Sequence, residues 1–336
     1  MTTEILSLTE AEALVTATLI AADTSPENAA STARALIRAQ ADGQGGHGLS
    51  RVPSYAAQSA VGKVQGHATP TISDVKPGVF RVDAGHGFAY PAFELALPEL
   101  ARRARSQGIA AAGVFRSHHF GVAGHHCEDL AEQGLIAFVY GNAPKAMAPW
   151  GATQALLGTN PIAFAAPMQG APLVIDMATT TVARGKILAA REAGKDSIPE
   201  GWALGPDGQP TTDPATALAG TVAPMGGAKG AALSLMVEVM SACLVGAAFG
   251  AEAPSLFDAE GGAPDLGQVI IAIDPGPISG GAFADRIAAL AALYDGIEGA
   301  RLPGSRRLGV REAAHRDGVT VDTALLSKIR AIAGQG

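Results

Sequence analysis

The chain has 336 residues, 48% of them hydrophobic and 16% charged, with a formal net charge of −7; that is ample apolar material for a buried core and too little polarity for a disordered chain. No surplus of Lys and Arg is available to neutralise phosphates and no basic run is interleaved with aromatics, which argues against nucleic acid as a partner. Cys127 and Cys243 lie far apart, a sparse usage that predicts free thiols in a reducing, cytoplasmic setting and not a disulfide framework.

Glu4 and Glu10 stand where an export signal would carry positive charge, so none is expected. Ser7-Leu8-Thr9-Glu10 is a capping box, and Leu14, Val15, Leu19 and Ile20 continue it with helical spacing. Ser25 followed by Pro26 starts a second helix that Gly43 ends. An amphipathic helix is predicted over 92–107, a buried strand over 109–115, a helix near 122–133, and strands at 135–140, 162–166 and 173–176. That alternation describes an α/β core. A Gly- and Pro-rich stretch over 198–227 is shaped by turns and precedes an apolar helix over 231–250. Glu238 at the middle of that helix would place a charge inside a bilayer, so a core helix is expected and not a membrane span. A strand over 269–273 and polar-faced helices complete the chain, and no repeat of fixed period is present.

Gly43-Gln44-Gly45-Gly46-His47-Gly48 fits the G-x-G-x-x-G pattern, but it follows a helix and no acidic residue stands about 20 positions on, as a dinucleotide fingerprint requires. It reads as a glycine turn that presents His47, with Arg51 and Tyr55 at i+4 and i+8 on one helical face. Arg grips a carboxylate through two parallel hydrogen bonds and His titrates near neutrality, so this pair suits an acid held in place while a proton is exchanged. Four of the eight histidines, His118, His119, His125 and His126, fall within nine residues. No H-E-x-x-H helix or cysteine pair accompanies them, and no metal centre is expected. His125 and His126 read as polar residues at a helix start, whereas His119 lies at the C-terminal end of a strand, where open α/β sheets build their sites. Leu157-Gly158-Thr159-Asn160-Pro161, Asp176-Met177-Ala178-Thr179-Thr180 and Gly226-Gly227-Ala228-Lys229-Gly230 put small residues and hydroxyls at turns, where backbone N–H groups meet anions.

Taken in order with Gly185-Lys186, Pro210-Thr211-Thr212-Asp213-Pro214 and Arg301-Leu302-Pro303-Gly304, these segments resemble the malate/L-lactate dehydrogenase family over nearly the whole chain. That family is unrelated to the Rossmann-fold lactate and malate dehydrogenases, and it also holds sulfolactate, ureidoglycolate and diketogulonate enzymes and reductases of cyclic 2-imino acids. The resemblance implies an α/β fold with a non-Rossmann mixed sheet flanked by helices and a helical lobe formed from both chain ends. The implied division is an N-terminal helical part over 1–110, a cofactor-binding α/β domain over 111–275, and C-terminal helices over 276–336 that return to the first lobe.

A homodimer is implied, with NAD or NADP as cofactor and a small carboxylate as substrate. The implied reaction moves a hydride between nicotinamide and C2 of a 2-oxo or 2-hydroxy acid; the alternative is reduction of a cyclic 2-imino acid such as 1-piperideine-2-carboxylate or 1-pyrroline-2-carboxylate. Matched position by position, His47 and His119 each correspond to a residue given the acid/base role, Arg51 to a carboxylate ligand, and Tyr55 and Thr159 to substrate contacts. His119, Phe120, Gly121, Asp176, Met177, Ala178, Lys229, Pro303 and Gly304 correspond to cofactor-lining positions. Two positions depart from the pattern. Gly46 stands where many members have Ser, and Lys186 where the similar imino-acid reductases have Asp, so the Ser–His–Asp relay is missing here. Arg184 is read either as a 2′-phosphate ligand or as a solvated surface charge.

Overall fold

The structure is a computed structural model that describes residues 2–335. In chain order it runs β1 (Thr3–Leu6), α1 (Leu8–Ala21), α2 (Pro26–Ala41), two 3-10 turns (Gly45–His47 and Leu49–Arg51), α3 (Val52–Ala60), β2 (Thr71–Lys76), β3 (Val79–Asp83), α4 (Ala89–Gln107), β4 (Ile109–Ser117), α5 (Ala123–Ala131) and β5 (Ile136–Gly141). It continues through β6 (Ile162–Ala166), β7 (Leu173–Met177), α6 (Arg184–Glu192), β8 (Ala203–Leu204), β9 (Pro210–Thr211), α7 (Pro214–Ala219), β10 (Thr221–Val222) and α8 (Ala228–Glu238). A π-turn over Val239–Cys243 leads to β11 (Leu266–Ile273), α9 (Pro275–Ser279), α10 (Phe283–Asp295), α11 (Ser305–Asp317), β12 (Val319–Asp322) and α12 (Thr323–Ile332).

The main sheet has seven strands in the order β2-β3-β4-β11-β5-β6-β7. It is mixed: β3 and β4 run parallel across the α4 crossover, and every other neighbouring pair is antiparallel. β11 enters between β4 and β5 late in the chain, and its sequence LGQVIIAI is largely apolar because it is buried along most of its length. Small residues on β4, Ala110 and Ala112, leave room for the Phe93, Leu100 and Ala104 face of α4, and together they head the largest apolar cluster.

A second cluster gathers both chain ends. Leu14, Val15 and Leu19 of α1, Leu36 of α2, Tyr55 of α3 and Leu326 and Ile329 of α12 pack together, and β1 pairs antiparallel with β12 to close the lobe. The capping box at the head of α1 is formed: Ser7 Oγ accepts from Glu10 N at 3.2 Å and the Glu10 carboxylate accepts from Ser7 N at 2.9 Å. Within residues 1–110, the first sixty feed this helical cluster, whereas β2, β3 and α4 join the sheet.

A buried ionic knot fastens α11 to the rest. Arg311 holds the Asp42 carboxylate at 2.6 and 2.8 Å and Glu128 at 2.9 Å, while Arg38 and Arg307 reach Glu128 at 2.8 and 2.7 Å. The Asp42 and Glu128 side chains are 0% and 1% exposed. Buried carboxylates survive only when paired this fully. His125 completes the knot, its Nε2 lying 2.8 Å from Asp42. His126 is buried against Phe93 with ring centroids 3.9 Å apart and Nε2 at 2.9 Å from the Phe120 carbonyl. Both lie in the first turn of α5, the helix start expected for them, but their side chains are buried and partnered.

The apolar helix expected over 231–250 stops at Glu238 and loosens into the π-turn. The cause is the buried Glu238 carboxylate, which accepts from Asn160 Nδ2 at 2.7 Å and from Gly250 N at 2.6 Å, so the chain has to fold back onto its own helix. No helix among the described residues is long and apolar enough to cross a membrane.

Candidate active site

The two lobes meet where β4 ends. Past Ser117 the chain delivers His118 and His119 against Tyr55 and Phe88 of the helical cluster, with Tyr55 and His118 centroids 5.2 Å apart. His118 is buried, and its Nε2 lies 2.8 Å from Gln58 Oε1. Because Gln58 Nε2 donates to the Leu256 carbonyl at 2.9 Å, its amide oxygen faces His118, so His118 is the donor in that pair. Gln58 therefore ties the histidine pair to the loop around 256.

His47, Arg51, His119, Lys145, Thr159, Arg184 and Phe257 line one cleft of about 310 Å³. The His47 and His119 rings stack with centroids 5.2 Å apart and planes within 4°. His47 Nδ1 is buried with no hydrogen-bond partner, an unsatisfied group of the kind that active sites retain. His47 and Arg51 do not share a helical face as the i, i+4 spacing predicted. Gly48 breaks the chain into two short turns, and a Cβ there would come within 2.5 Å of the Gln40 side chain and 3.1 Å of its Cα. The two side chains reach the same cleft regardless. Arg51 Nε donates to the Gly46 carbonyl at 2.8 Å and its guanidinium lies 4.7 Å over the Phe257 ring, leaving the outer nitrogens for a ligand.

Tyr55 stands behind His119, fully buried, with its hydroxyl 2.5 Å from His119 Nδ1. Burial, with Arg51 next in effect, pulls His47 down to about 4 and His119 well below the ordinary imidazole range. Burial lifts Tyr55 to about 12. Both imidazoles are therefore neutral at physiological pH. The cleft lining carries three cations, Arg51, Lys145 and Arg184, and no carboxylate, so an anion entering it meets only attraction. Arg184 is half-buried and donates to the Leu218 carbonyl at 2.7 Å, so it is part of the cleft wall and not a solvated surface charge.

The remaining candidates are arranged around this cleft. Thr159 accepts from Thr179 N at 3.0 Å, and Thr179 accepts from Met225 N at 3.0 Å, so the Thr159, Asp176–Thr180 and Gly226–Lys229 turns lie side by side. Asp176, exposed near the end of β7, accepts from Gly124 N at 2.8 Å. Gly304, at φ 84°, brings the 303–304 turn against β7, where a Cβ would come within 2.9 Å of the Val174 carbonyl. Phe120 is buried under His126, whereas Met177, Lys229 and Pro303 are exposed. Gly121 has φ 72° and packs on Tyr90, where a Cβ would be 2.8 Å from the hydroxyl.

Two supporting residues were given no role in the sequence reading: Lys63 carries no motif, and Asn160 lies within the 157–161 turn. Lys63, 2% exposed, donates to the carbonyls of Ser255 at 2.7 Å, Asp258 at 3.1 Å and Glu260 at 2.5 Å, and so anchors the loop that bears Phe257. Asn160 accepts from Ala143 N at 3.2 Å while donating to Glu238, which ties the Lys145 wall to Thr159. No group of three or more His, Cys, Asp or Glu among the described residues is arranged to hold a metal ion.

Residues 6–330 match the family described as malate/L-lactate dehydrogenase. The chain is 47% identical over 329 residues to (2R)-3-sulfolactate dehydrogenase (NADP(+)) of Chromohalobacter salexigens, covering 98% of both chains. It is 42% identical over 335 residues to Delta(1)-pyrroline-2-carboxylate reductase of Ancylobacter novellus, again covering 98% of both. The solved delta1-piperideine-2-carboxylate reductase of Pseudomonas syringae pvar. tomato superposes with a TM-score of 0.92 at 38% identity, over 98% of this chain and 99% of that one.

Proposed function

The chain belongs to the malate/L-lactate dehydrogenase family, and from that premise we propose that the cleft reduces, or in reverse oxidises, C2 of a small 2-oxo or 2-hydroxy acid with NAD(P). The observation that carries this reading is the stacked His47–His119 pair beside Arg51, in a cleft whose charged lining residues are all cations.

A nicotinamide dinucleotide, when bound, supplies the hydride. The residues present fit such a group: the exposed Lys229 at the start of α8 offers a cation to a phosphate, and Met177, Ala178 and the 303–304 turn border the same edge of the sheet. Arg51 takes the substrate carboxylate through its free fork and fixes which face of C2 is presented. Charge building on the C2 oxygen is met by the imidazole pair. Binding also prepares the proton: the Arg51 charge is one of the causes holding both imidazoles neutral, and a carboxylate paired with it cancels that effect and lifts their basicity.

Lys145 and Arg184 give the cleft more positive charge than one carboxylate uses. A 2-oxo acid with a second anionic group, as in oxaloacetate or sulfopyruvate, the 2-oxo counterpart of the 3-sulfolactate for which the Chromohalobacter relative is named, fits that surplus. The relatives named for cyclic imines support the second reading, reduction of a C=N bond next to a carboxylate by the same residues. The exposed Lys186 in place of an Asp weighs against it.

The assay is the loss of reduced-nicotinamide absorbance, with NADH and NADPH each tested against pyruvate, oxaloacetate, sulfopyruvate and the two cyclic imines. Turnover of the dianionic oxo acids ahead of the rest supports the reading; turnover of the cyclic imines alone replaces it with the second.

We also assign the chain to a homodimer in the cytoplasm. Exposed Leu290, Leu293 and Ile297 on and just after α10 offer an apolar face, and Cys127 and Cys243 are unpaired. Sedimentation analysis tests the first assignment and localisation of a tagged chain the second.

A further inference from the structure

Behind His119 lies a chain of hydroxyls that the reaction itself does not require. Tyr90 Oη is 3.2 Å from Tyr55 Oη, which is 2.5 Å from His119 Nδ1. Tyr55 is 0% exposed and Tyr90 3%. Each hydroxyl carries one proton, and a neutral imidazole carries one N–H and one lone pair. Burial keeps both tyrosines protonated and His119 neutral at physiological pH.

Three proton arrangements are then possible along the row. With Nδ1 protonated, His119 donates to Tyr55. Tyr55 then either donates to Tyr90 and strands the Tyr90 proton, or accepts from both neighbours and strands its own. Only the third leaves no buried donor unpaired: Tyr90 donates to Tyr55, Tyr55 donates to Nδ1, and the imidazole proton sits on Nε2. An orphaned buried donor disfavours its arrangement by about ten-fold or more. Nε2 is on the ring edge away from Tyr55, and His119 lines the cleft.

We propose that Tyr55, with Tyr90 donating to its oxygen, is a positioning residue that locks His119 in the tautomer carrying its proton on Nε2, as a fixed hydrogen-bond donor to the reacting oxygen or nitrogen of the substrate. This rests on the assignment of the cleft as the site of reduction. A second proton on Nδ1 would reverse the row and strand a tyrosine proton, so the same chain opposes an imidazolium at His119. Proton uptake on substrate binding therefore falls to His47, whose Nδ1 has no competing partner.

The tautomer is read without turnover, by long-range 1H–15N correlation on the histidine-labelled full chain at neutral pH, with the His119 signals identified by their loss in His119→Gln. The expected spectrum shows His119 protonated at Nε2 and bare at Nδ1, and oxamate binding leaves it so. Tyr55→Phe should populate both tautomers and lower kcat about ten-fold while KM stays within about two-fold, whereas Tyr90→Phe keeps the Nε2 tautomer. A wild-type His119 protonated at Nδ1 overturns the proposal, as does a kcat loss in Tyr55→Phe with the tautomer unchanged. If Tyr55→Phe does not fold, the wild-type spectrum alone decides. A chain that turns over no carboxylate yet shows the Nε2 tautomer would sink the proposed function and leave the tautomer lock standing.

Discussion

Arg51→Lys keeps the positive charge beside His47 and His119 and removes only the fork. In the structure the Arg51 Nε is committed to the Gly46 carbonyl at 2.8 Å, so the two outer nitrogens are what a carboxylate can engage. A lysine ammonium reproduces the charge but not two parallel bonds in one plane. Losing one charge-assisted hydrogen bond costs about 1.5–3 kcal/mol, which at about 1.4 kcal/mol per decade is a rise in KM of about ten- to a hundred-fold. The assay is steady-state turnover of the best acid in the panel, with the dinucleotide saturating and then varied. KM for the acid should rise by that factor, and KM for the dinucleotide should stay within about two-fold. An acid KM unchanged in Arg51→Lys would remove Arg51 from substrate recognition and with it the orientation argument.

Arg311→Met should destabilise the fold by about 3 kcal/mol, the lower end of the range for breaking a buried pair because Arg38, Arg307 and His125 still serve Asp42 and Glu128; urea unfolding measures it, and a change below about 1 kcal/mol contradicts the knot. Burial depresses His118 to about 3 and His47 and His126 to about 4, so between the unfolded value near 6.5 and those folded values the unfolded chain binds protons that the native one does not. Stability is thus full above about pH 6.5 and falls by about 1.4 kcal/mol per pH unit for each such histidine as the medium acidifies; a thermal midpoint that is flat between about pH 7 and 5 refutes it. Lys63→Met removes the donor shared by three carbonyls of the 255–260 loop, and should raise KM through Phe257 and Arg51 while exposing that loop to protease; an intact loop with an unchanged KM rules the anchor out. Calorimetry in buffers of different ionisation enthalpy should show proton uptake when oxamate binds, because the Arg51 charge that helps keep the imidazoles neutral becomes paired; no uptake means the site is not primed this way.

Local signals were read well from sequence. The Ser7 capping box, the Ser25-Pro26 start and the strand Ile162–Ala166 stand where the pattern put them, since each depends on neighbours within a few residues. Non-local pairings were not legible. β1 pairs with β12 across more than three hundred residues, and β11 inserts between β4 and β5, arrangements that no periodicity encodes. The helix expected over 231–250 ends early because Glu238, visible as a charge in an apolar run, pairs with Asn160 of a distant segment and with Gly250 N, which the chain reaches only by folding back, a pairing that local pattern does not encode. At the site, residue types and turn positions pointed to His47, Arg51 and His119, which the fold does bring into one cleft. The helical face assumed for the first two was wrong because Gly48 is confined by Gln40. Tyr55 was expected to touch substrate and lies behind His119 instead, a distinction of depth that spacing cannot carry.

The most direct test follows the hydride itself. The chain is incubated with a saturating dianionic 2-oxo acid and a reduced nicotinamide cofactor carrying deuterium at C4 in the transferred position, and the product is read by mass spectrometry. One deuterium at C2 of the 2-hydroxy acid, lost together with turnover in the His47→Gln, His119→Gln double variant, is the predicted result; unlabelled product, or undiminished turnover in that variant, would contradict the account.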